Sequence, residues 1–98
     1  MTESEIQKQI IHYLKLKGCI VMRLNSGRAA HNVRLCPPGT PDLLAIYRGG
    51  SVWIEVKTEK GKLRPEQENM HKELIEMGHR VIVARGVADL NKSELFCK

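Results

Sequence analysis

Hydrophobic residues near the start of the chain recur at the spacing of an amphipathic helix. The positions that share one helical face are Ile6, Ile10, Tyr13, Leu14 and Lys17. Thr2, followed three residues later by Glu5, has the capping-box pattern of a helix start. Gly18 is typical of a helix end, so the pattern predicts a first helix between Thr2 and Gly18.

Three strand-like segments follow, and a tight turn joins the last two. The segments are Cys19–Leu24, Asp42–Tyr47 and Val52–Lys57. The turn sequence Arg48-Gly49-Gly50-Ser51 predicts a β-hairpin. Alternation in the third segment places Trp53, Glu55 and Lys57 on one face of the sheet, with Trp53 either beside Glu55 or against the first helix. A long polar loop, Asn25–Gly39, separates the first strand from the hairpin.

A second helix and a fourth strand complete the pattern. Pro65 suits a first helical turn, and the helix runs to Met77 before Gly78 ends it. The apolar positions that we expect in its core-facing stripe are Met70, Leu74 and Met77. Arg80–Ala84 reads as a strand and Val87–Phe96 as a short final helix. The order α-β-β-β-α-β, with a terminal helix, indicates an α/β fold with helices packed on a sheet.

Composition bounds the class of protein. Residues 1–98 are enough for one domain, and 42% hydrophobic with 28% charged residues is ordinary for a globular protein. No apolar run approaches a membrane span, and the acidic start Met1–Glu5 does not resemble a signal peptide, so we expect an intracellular, cytoplasmic protein. The odd number of widely spaced cysteines predicts no disulfide framework. The three are Cys19, Cys36 and Cys97.

The net charge favours a polyanionic partner, although many basic proteins bind no nucleic acid. The formal net charge is +5, which favours phosphate backbones. Aromatic residues make up only 4% of the chain, which argues against a surface that works mainly by stacking bases.

The predicted hairpin brings chemistry-bearing residues together. Asp42 begins one strand and Glu55 lies beyond the turn on the other, so their carboxylates can converge, with Lys57 on the face of Glu55. Alone, Asp42 beside Pro41 is more often a turn residue, and a Glu-x-Lys strand is more often a solvated face. Together they are costly to bury without compensation. Mg²⁺, which takes oxygen ligands and keeps several waters, would supply it.

Four segments, in order, carry a resemblance to a known family. They are Gly39–Leu44, Trp53–Lys57, Gly61–Gln67 and Gly78–Val81. The chain resembles the PD-(D/E)XK nuclease superfamily and, more narrowly, its virus-type replication-repair nuclease (VRR-NUC) domain. The resemblance implies a restriction-endonuclease-like αβββαβ core with a mixed central sheet flanked by helices.

The same resemblance implies roles for individual residues. Asp42 and Glu55 are expected to ligate the metal, with the backbone carbonyl of Val56 as a further ligand. Lys57 is expected to position or activate the attacking water and to stabilise the charge that develops on the phosphate. Gln67 is expected to hold water or phosphate, against the alternative of an exposed residue. Glu5 matches an acidic position near the metal, although the capping box explains it equally well.

Basic and polar residues in two loops are candidates for contacts with nucleic acid, against the alternative of solvated loops. They are Asn25, Arg28, Arg34, Lys60, Lys62 and Arg64. We interpret His12, His71 and His79 as structural or surface residues.

The implied activity is a metal-dependent DNA endonuclease that hydrolyses phosphodiester bonds. By resemblance, its substrate is branched DNA such as a four-way (Holliday) junction, cleaved by a homodimer with Mg²⁺, or Mn²⁺ in its place, in DNA repair or phage functions. Two alternatives stay open: a non-catalytic nucleic-acid-binding module, and a nuclease of broad specificity that also cuts linear duplex.

Overall fold

Helices pack on both faces of a four-stranded sheet in this computed structural model, which describes residues 1–24 and 36–92. The elements are α1 (Glu3–Leu16), β1 (Ile20–Arg23), β2 (Leu43–Tyr47), β3 (Gly50–Val56), α2 (Pro65–Glu76), β4 (Val81–Ala84) and α3 (Val87–Lys92). The predicted α/β order is confirmed. Positions 25–35 of the predicted loop and 93–96 of the predicted last helix lie outside the described residues. Across the described ranges, no helix has the length and apolar character needed to cross a membrane.

The sheet is mixed, with strands in the order β1-β2-β3-β4. β1–β2 and β2–β3 pair antiparallel, whereas β3–β4 pair parallel, and α2 forms the crossover between the parallel strands. The hairpin turn is shorter than predicted, since Tyr47 pairs with Gly50 and leaves only Arg48 and Gly49 between the strands. Gly49 has φ +87°, which suits such a two-residue turn.

The hydrophobic core lies between one sheet face and helices α1 and α3. Its members are Ile6, Ile10, Leu14, Cys19, Leu43, Ala45, Val52, Ile54, Val56, Ala84 and Leu90. The alternation in β3 therefore turns Val52, Ile54 and Val56 inward and leaves Glu55 on the opposite face. Trp53 shares that opposite face and meets the His79 ring edge-on, with centroids 6.2 Å apart, so it does not pack against α1.

Helix α2 buries a polar side. Its buried residues are Gln67 and His71, whereas Met77 is 74% exposed and Met70 and Leu74 are only half-buried. The prediction of a Met70, Leu74 and Met77 core stripe is therefore wrong. The helix turns Gln67 and His71 toward the sheet face that carries Glu55, where they find polar partners.

Candidate active site

The β2–β3 hairpin places Asp42 and Glu55 together. Leu43 pairs with Ile54, and the same register sets Asp42 opposite Glu55 one step further along. The backbone N–H of Val56 donates to Asp42 Oδ2 at 2.8 Å, which fixes the Asp42 carboxylate against β3. The two carboxyl groups therefore meet at one end of the hairpin, as the sequence predicts.

Glu55 is almost fully buried, at 2% exposure, and α2 supplies partners for both of its oxygens. Gln67 Nε2 donates to Oε2 at 3.3 Å, and His71 Nε2 lies 3.1 Å from Oε1. Gln67 Oε1 in turn accepts from the backbone N–H of Arg64 at 2.9 Å, in the manner of a helix cap. The amide of Gln67 thus links the start of α2 to Glu55.

Burial sets the protonation of this cluster. Burial is the main cause that raises the pKa of Glu55 to about 8, and the hydrogen bond with Asp42 and the negative charge of Asp42 contribute to the same rise. The positive charge of the Lys57 ammonium acts in the opposite direction. Burial and then the charge of Lys57 lower the pKa of His71. Although Glu55 and His71 lie within ion-pair distance, both shifts favour the neutral forms. We therefore treat their contact as a hydrogen bond.

Lys57 completes the cluster just past the end of β3. Its backbone N–H donates to Ala84 O at 3.1 Å, so β4 holds its main chain. The side chain is 8% exposed, and its charge acts on both Glu55 and His71. The Lys57 ammonium thus supplies positive charge close to Glu55, and a cationic side chain of this kind can bind an anionic group such as a phosphate.

Gly39 allows α2 to approach the hairpin. It has φ +87°, and a Cβ there would overlap the carbonyl of Glu66 and lie 3.2 Å from the backbone nitrogen of Gln67. The backbone just before Asp42 therefore touches the first turn of α2 directly. This contact sets how far Gln67 reaches toward Glu55.

The donor set suits a hard divalent cation. Asp42 and Glu55 offer carboxylate oxygens; burial, and after it the neighbouring Asp42, raises the pKa of Glu55, and a bound cation would offset both effects. Within 1–24 and 36–92, no group of three or more His, Cys, Asp or Glu side chains is arranged to hold a metal ion. In the part of the chain that the structure describes, Asp42 and Glu55 offer two carboxylates, and Mg²⁺ accepts such a small protein ligand set because water and substrate can fill its other coordination positions.

Glu5 has another role in this structure. Its Oε1 accepts from the backbone N–H and the hydroxyl of Thr2, at 2.9 and 3.0 Å, and Glu5 is exposed. These hydrogen bonds lower the pKa of Glu5 and support the capping alternative. The acidic residue of α1 that acts on Glu55 is Glu3, whose charge contributes to raising the pKa of Glu55. A metal-ligand role for Glu5 stays a prediction.

Some of the basic and polar candidates for contacts with nucleic acid lie outside the described residues. These are Asn25, Arg28 and Arg34. Lys60 and Lys62 are exposed in the connection between β3 and α2. Arg64 is exposed too, and its Nε lies 3.1 Å from Glu66 Oε1. An exposed pair of this kind is weak and leaves the guanidinium accessible to other anions.

His71 is the site residue that the sequence interpretation missed. It lies four positions after Gln67, so both side chains project from the same side of α2. Once Gln67 is assigned to the site, this spacing is the signal that identifies His71. Its prediction as a structural residue agrees with its burial but omits its contact with Glu55.

The replacement Gly39→Ala is expected to lower the free energy of unfolding by about 2–4 kcal/mol, because it adds overlap with α2 to the cost of a left-handed backbone. Gly49→Ala is the matched control, since Gly49 has the same φ and open space around it. Urea denaturation of both variants checks this. Equal losses would mean that the contact between Gly39 and α2 does not constrain the fold.

Metal-free protein is expected to lose stability as the pH rises from about 6.5 to 8. A group whose folded pKa is raised stabilises the fold below its unfolded pKa and loses that contribution as the pH approaches the folded value; for Glu55 these are 4.5 and about 8. His71, with a lowered pKa, acts in the opposite direction but only below its ordinary value of 6.5.

Urea denaturation in EDTA across this pH range measures the effect. The variant Glu55→Gln removes the titrating carboxyl group and keeps the groups around it, which are Asp42, Lys57, Gln67 and His71. It therefore isolates the contribution of Glu55. The variant should show a flatter dependence than wild type. An unchanged slope would assign the dependence to another group.

Comparison with known proteins agrees with this geometry. A solved structure described as a VRR_NUC domain is 28% identical to this chain and superposes with a TM-score of 0.75, covering 98% of this chain and 97% of that one. No curated protein matches. The VRR-NUC domain family matches residues 2–88, which include Asp42, Glu55, Lys57, Gln67 and His71. The chain therefore belongs to the VRR-NUC domain family, a family of nuclease-type domains.

Proposed function

We propose that this nuclease-type domain is a metal-dependent endonuclease that hydrolyses phosphodiester bonds in DNA, acting in the cytoplasm and encoded by a bacterium or a phage. One observation carries the proposal: the hairpin sets Asp42 opposite Glu55, and the buried side chain of Lys57 acts electrostatically on Glu55. Such a cluster is costly to bury, and buried titratable groups with perturbed pKa values occur most often at functional sites.

Mg²⁺ is the proposed cofactor, with Mn²⁺ as a substitute. Asp42, Glu55 and the backbone carbonyl of Val56 would hold it, since these are the oxygen donors at the end of the hairpin. When bound, the ion supplies a Lewis acid for the phosphate and lowers the pKa of a water molecule.

The surrounding side chains orient the reacting groups. The Lys57 ammonium stabilises the negative charge that grows on the phosphate and orients the attacking water. Gln67 and His71 hold the two oxygens of Glu55 in place, which keeps the carboxylate in one orientation. We assign Gln67 this orienting role, because both ends of its amide are already engaged.

Basic residues around the site are the proposed contacts with the DNA backbone. Lys60, Lys62 and Arg64 are exposed on the connection that joins Lys57 to α2. We propose the same role for the loop residues Asn25, Arg28 and Arg34. The net charge of +5 supports binding to phosphates irrespective of base sequence.

Branched DNA and a homodimer complete the proposal. The preference for branched DNA such as a four-way junction follows from the family resemblance. A two-fold dimer would present two active sites to such a junction. The edge strand β1 exposes Ile20 and Met22, at 62% and 45%, and both pair with apolar residues of β2. This strip offers an apolar surface for a second copy of the chain.

The cleavage test uses a labelled four-way junction and the matching linear duplex, each with Mg²⁺, Mn²⁺ or EDTA. Wild type should cut the junction only with metal, and Asp42→Asn should abolish cutting. Lys57→Met should lower kcat on the order of 100- to 1000-fold, because it removes charge stabilisation from the transition state. Glu76→Gln is the control for Asp42→Asn, because it also removes one negative charge but lies at the far end of α2, and it should cut like wild type.

The outcomes separate the alternatives. Cutting of both substrates would keep the nuclease and remove the preference for junctions. Binding to DNA without cutting under any metal would contradict the enzyme and favour a binding module. Activity that survives Asp42→Asn would move the active site elsewhere.

Dimerisation has its own test. Wild type should sediment as a dimer, and Ile20→Lys should sediment as a monomer because it buries a charge in the proposed interface. Leu16→Lys is the control, since Leu16 is equally apolar and exposed but belongs to α1. A monomeric wild type, or a dimeric Ile20→Lys variant, would contradict the proposed interface.

A further inference from the structure

Arg85 holds the connection that leads from Lys57 to α2. Its Nη1 donates to the carbonyl oxygens of Thr58 and Gly61, at 2.7 and 2.6 Å, and lies 3.4 Å from that of Glu59. Three carbonyl dipoles thus converge on one cationic nitrogen. Hydrogen bonds from a charged donor are stronger than neutral ones, so this contact is a strong link between the segment 58–61 and the end of β4.

The segment 58–61, which Arg85 holds, lies beside Lys57. The N–H of Gly61 donates to Thr58 O at 3.1 Å, which closes the segment into a turn. A Cβ built on Gly61 would lie 3.5 Å from Cδ of Lys57, so the turn lies close to the aliphatic part of that side chain. The burial of Lys57 therefore depends on where this turn sits.

The base of Arg85 is itself fixed. Arg85 follows Ala84, which is buried and whose backbone carbonyl accepts a hydrogen bond from the backbone N–H of Lys57. The backbone N–H of Arg85 donates to Asp89 Oδ2 at 2.8 Å, in the first turn of α3, and Leu90 anchors that helix in the core. The Arg85 side chain thus attaches the turn at 58–61 to the folded body.

We propose that Arg85 is a positioning residue for the phosphodiester hydrolysis, acting through Lys57. By holding the turn at 58–61 it keeps the Lys57 ammonium close enough to act on Glu55. Its Nη1 is committed to backbone carbonyls, which separates this role from that of a phosphate contact. Without the guanidinium, the converging carbonyls repel one another and the turn moves away from Lys57. This inference rests on the proposed function.

Kinetics of Arg85→Ala test the proposal. A displaced Lys57 should lower kcat on the order of 10- to 100-fold while KM for DNA stays nearly unchanged. Arg48→Ala is the matched control, because it removes the same charge from the turn at the opposite end of the hairpin. It should retain wild-type kcat. A raised KM with unchanged kcat in Arg85→Ala would make Arg85 a DNA contact and overturn the proposal.

A double-mutant cycle shows whether Arg85 acts through Lys57. In a Lys57→Met background, measured under single-turnover conditions so that slow cleavage is visible, Arg85→Ala should cause no further loss. A loss as large as in the wild-type background would show independent action and overturn the proposal.

A measurement without activity separates this proposal from the enzyme assignment. In metal-free protein, Arg85→Ala should accelerate hydrogen exchange at the Gly61 amide on the order of tenfold or more, while the core amide of Ile54 stays protected. Unchanged exchange at Gly61 would overturn the clamp whatever the enzyme does. If wild type cuts no DNA, the proposed function fails and the effect on kcat fails with it, whereas faster exchange would still support the clamp.

Discussion

The buried carboxyl group of Glu55 is the constraint on which the rest of this structure depends. A carboxyl group removed from water needs partners for its oxygens, or folding becomes unfavourable. Gln67 and His71 are those partners, and they occupy the buried side of α2 where apolar residues would ordinarily lie. The docking of a whole helix is thus set by one acidic side chain, and Gly39 makes the close approach possible.

The hairpin half of the site is predictable from the sequence. Turn residues and strand alternation together fix a register, because a slip of one residue would turn Glu55 into the core. Asp42 opposite Glu55, with Lys57 two residues on, follows from local pattern alone. The observed turn is two residues shorter than the predicted one, because β3 begins at Gly50 and not at Val52. The pairing of the other strand residues is the same in both cases, so Asp42 still lies opposite Glu55.

The helical half is not predictable in the same way. Hydrophobic periodicity assigns the buried side of a helix from its apolar residues, and in α2 it selects Met77, which is exposed. The side chains that are buried owe their position to Glu55, which is 12 residues from Gln67 and 16 from His71. No local pattern encodes such a partner, and the helical spacing indicates His71 only after Gln67 has been assigned to the site. For Glu5 the local pattern was informative, since the capping box visible in the sequence is present in the structure.

The parallel pairing of β3 with β4 has a consequence for the order of assembly. The β2–β3 hairpin closes over a two-residue turn, so its contacts are local and its loop-closure entropy is small. β4 reaches β3 only after the chain has formed the α2 crossover, and such non-local pairing is slow. We therefore expect the carboxyl groups to meet early in folding, and Lys57 and the turn at 58–61 to acquire their final positions when β4 docks. On this order of assembly, the active site is complete only once all four strands have paired.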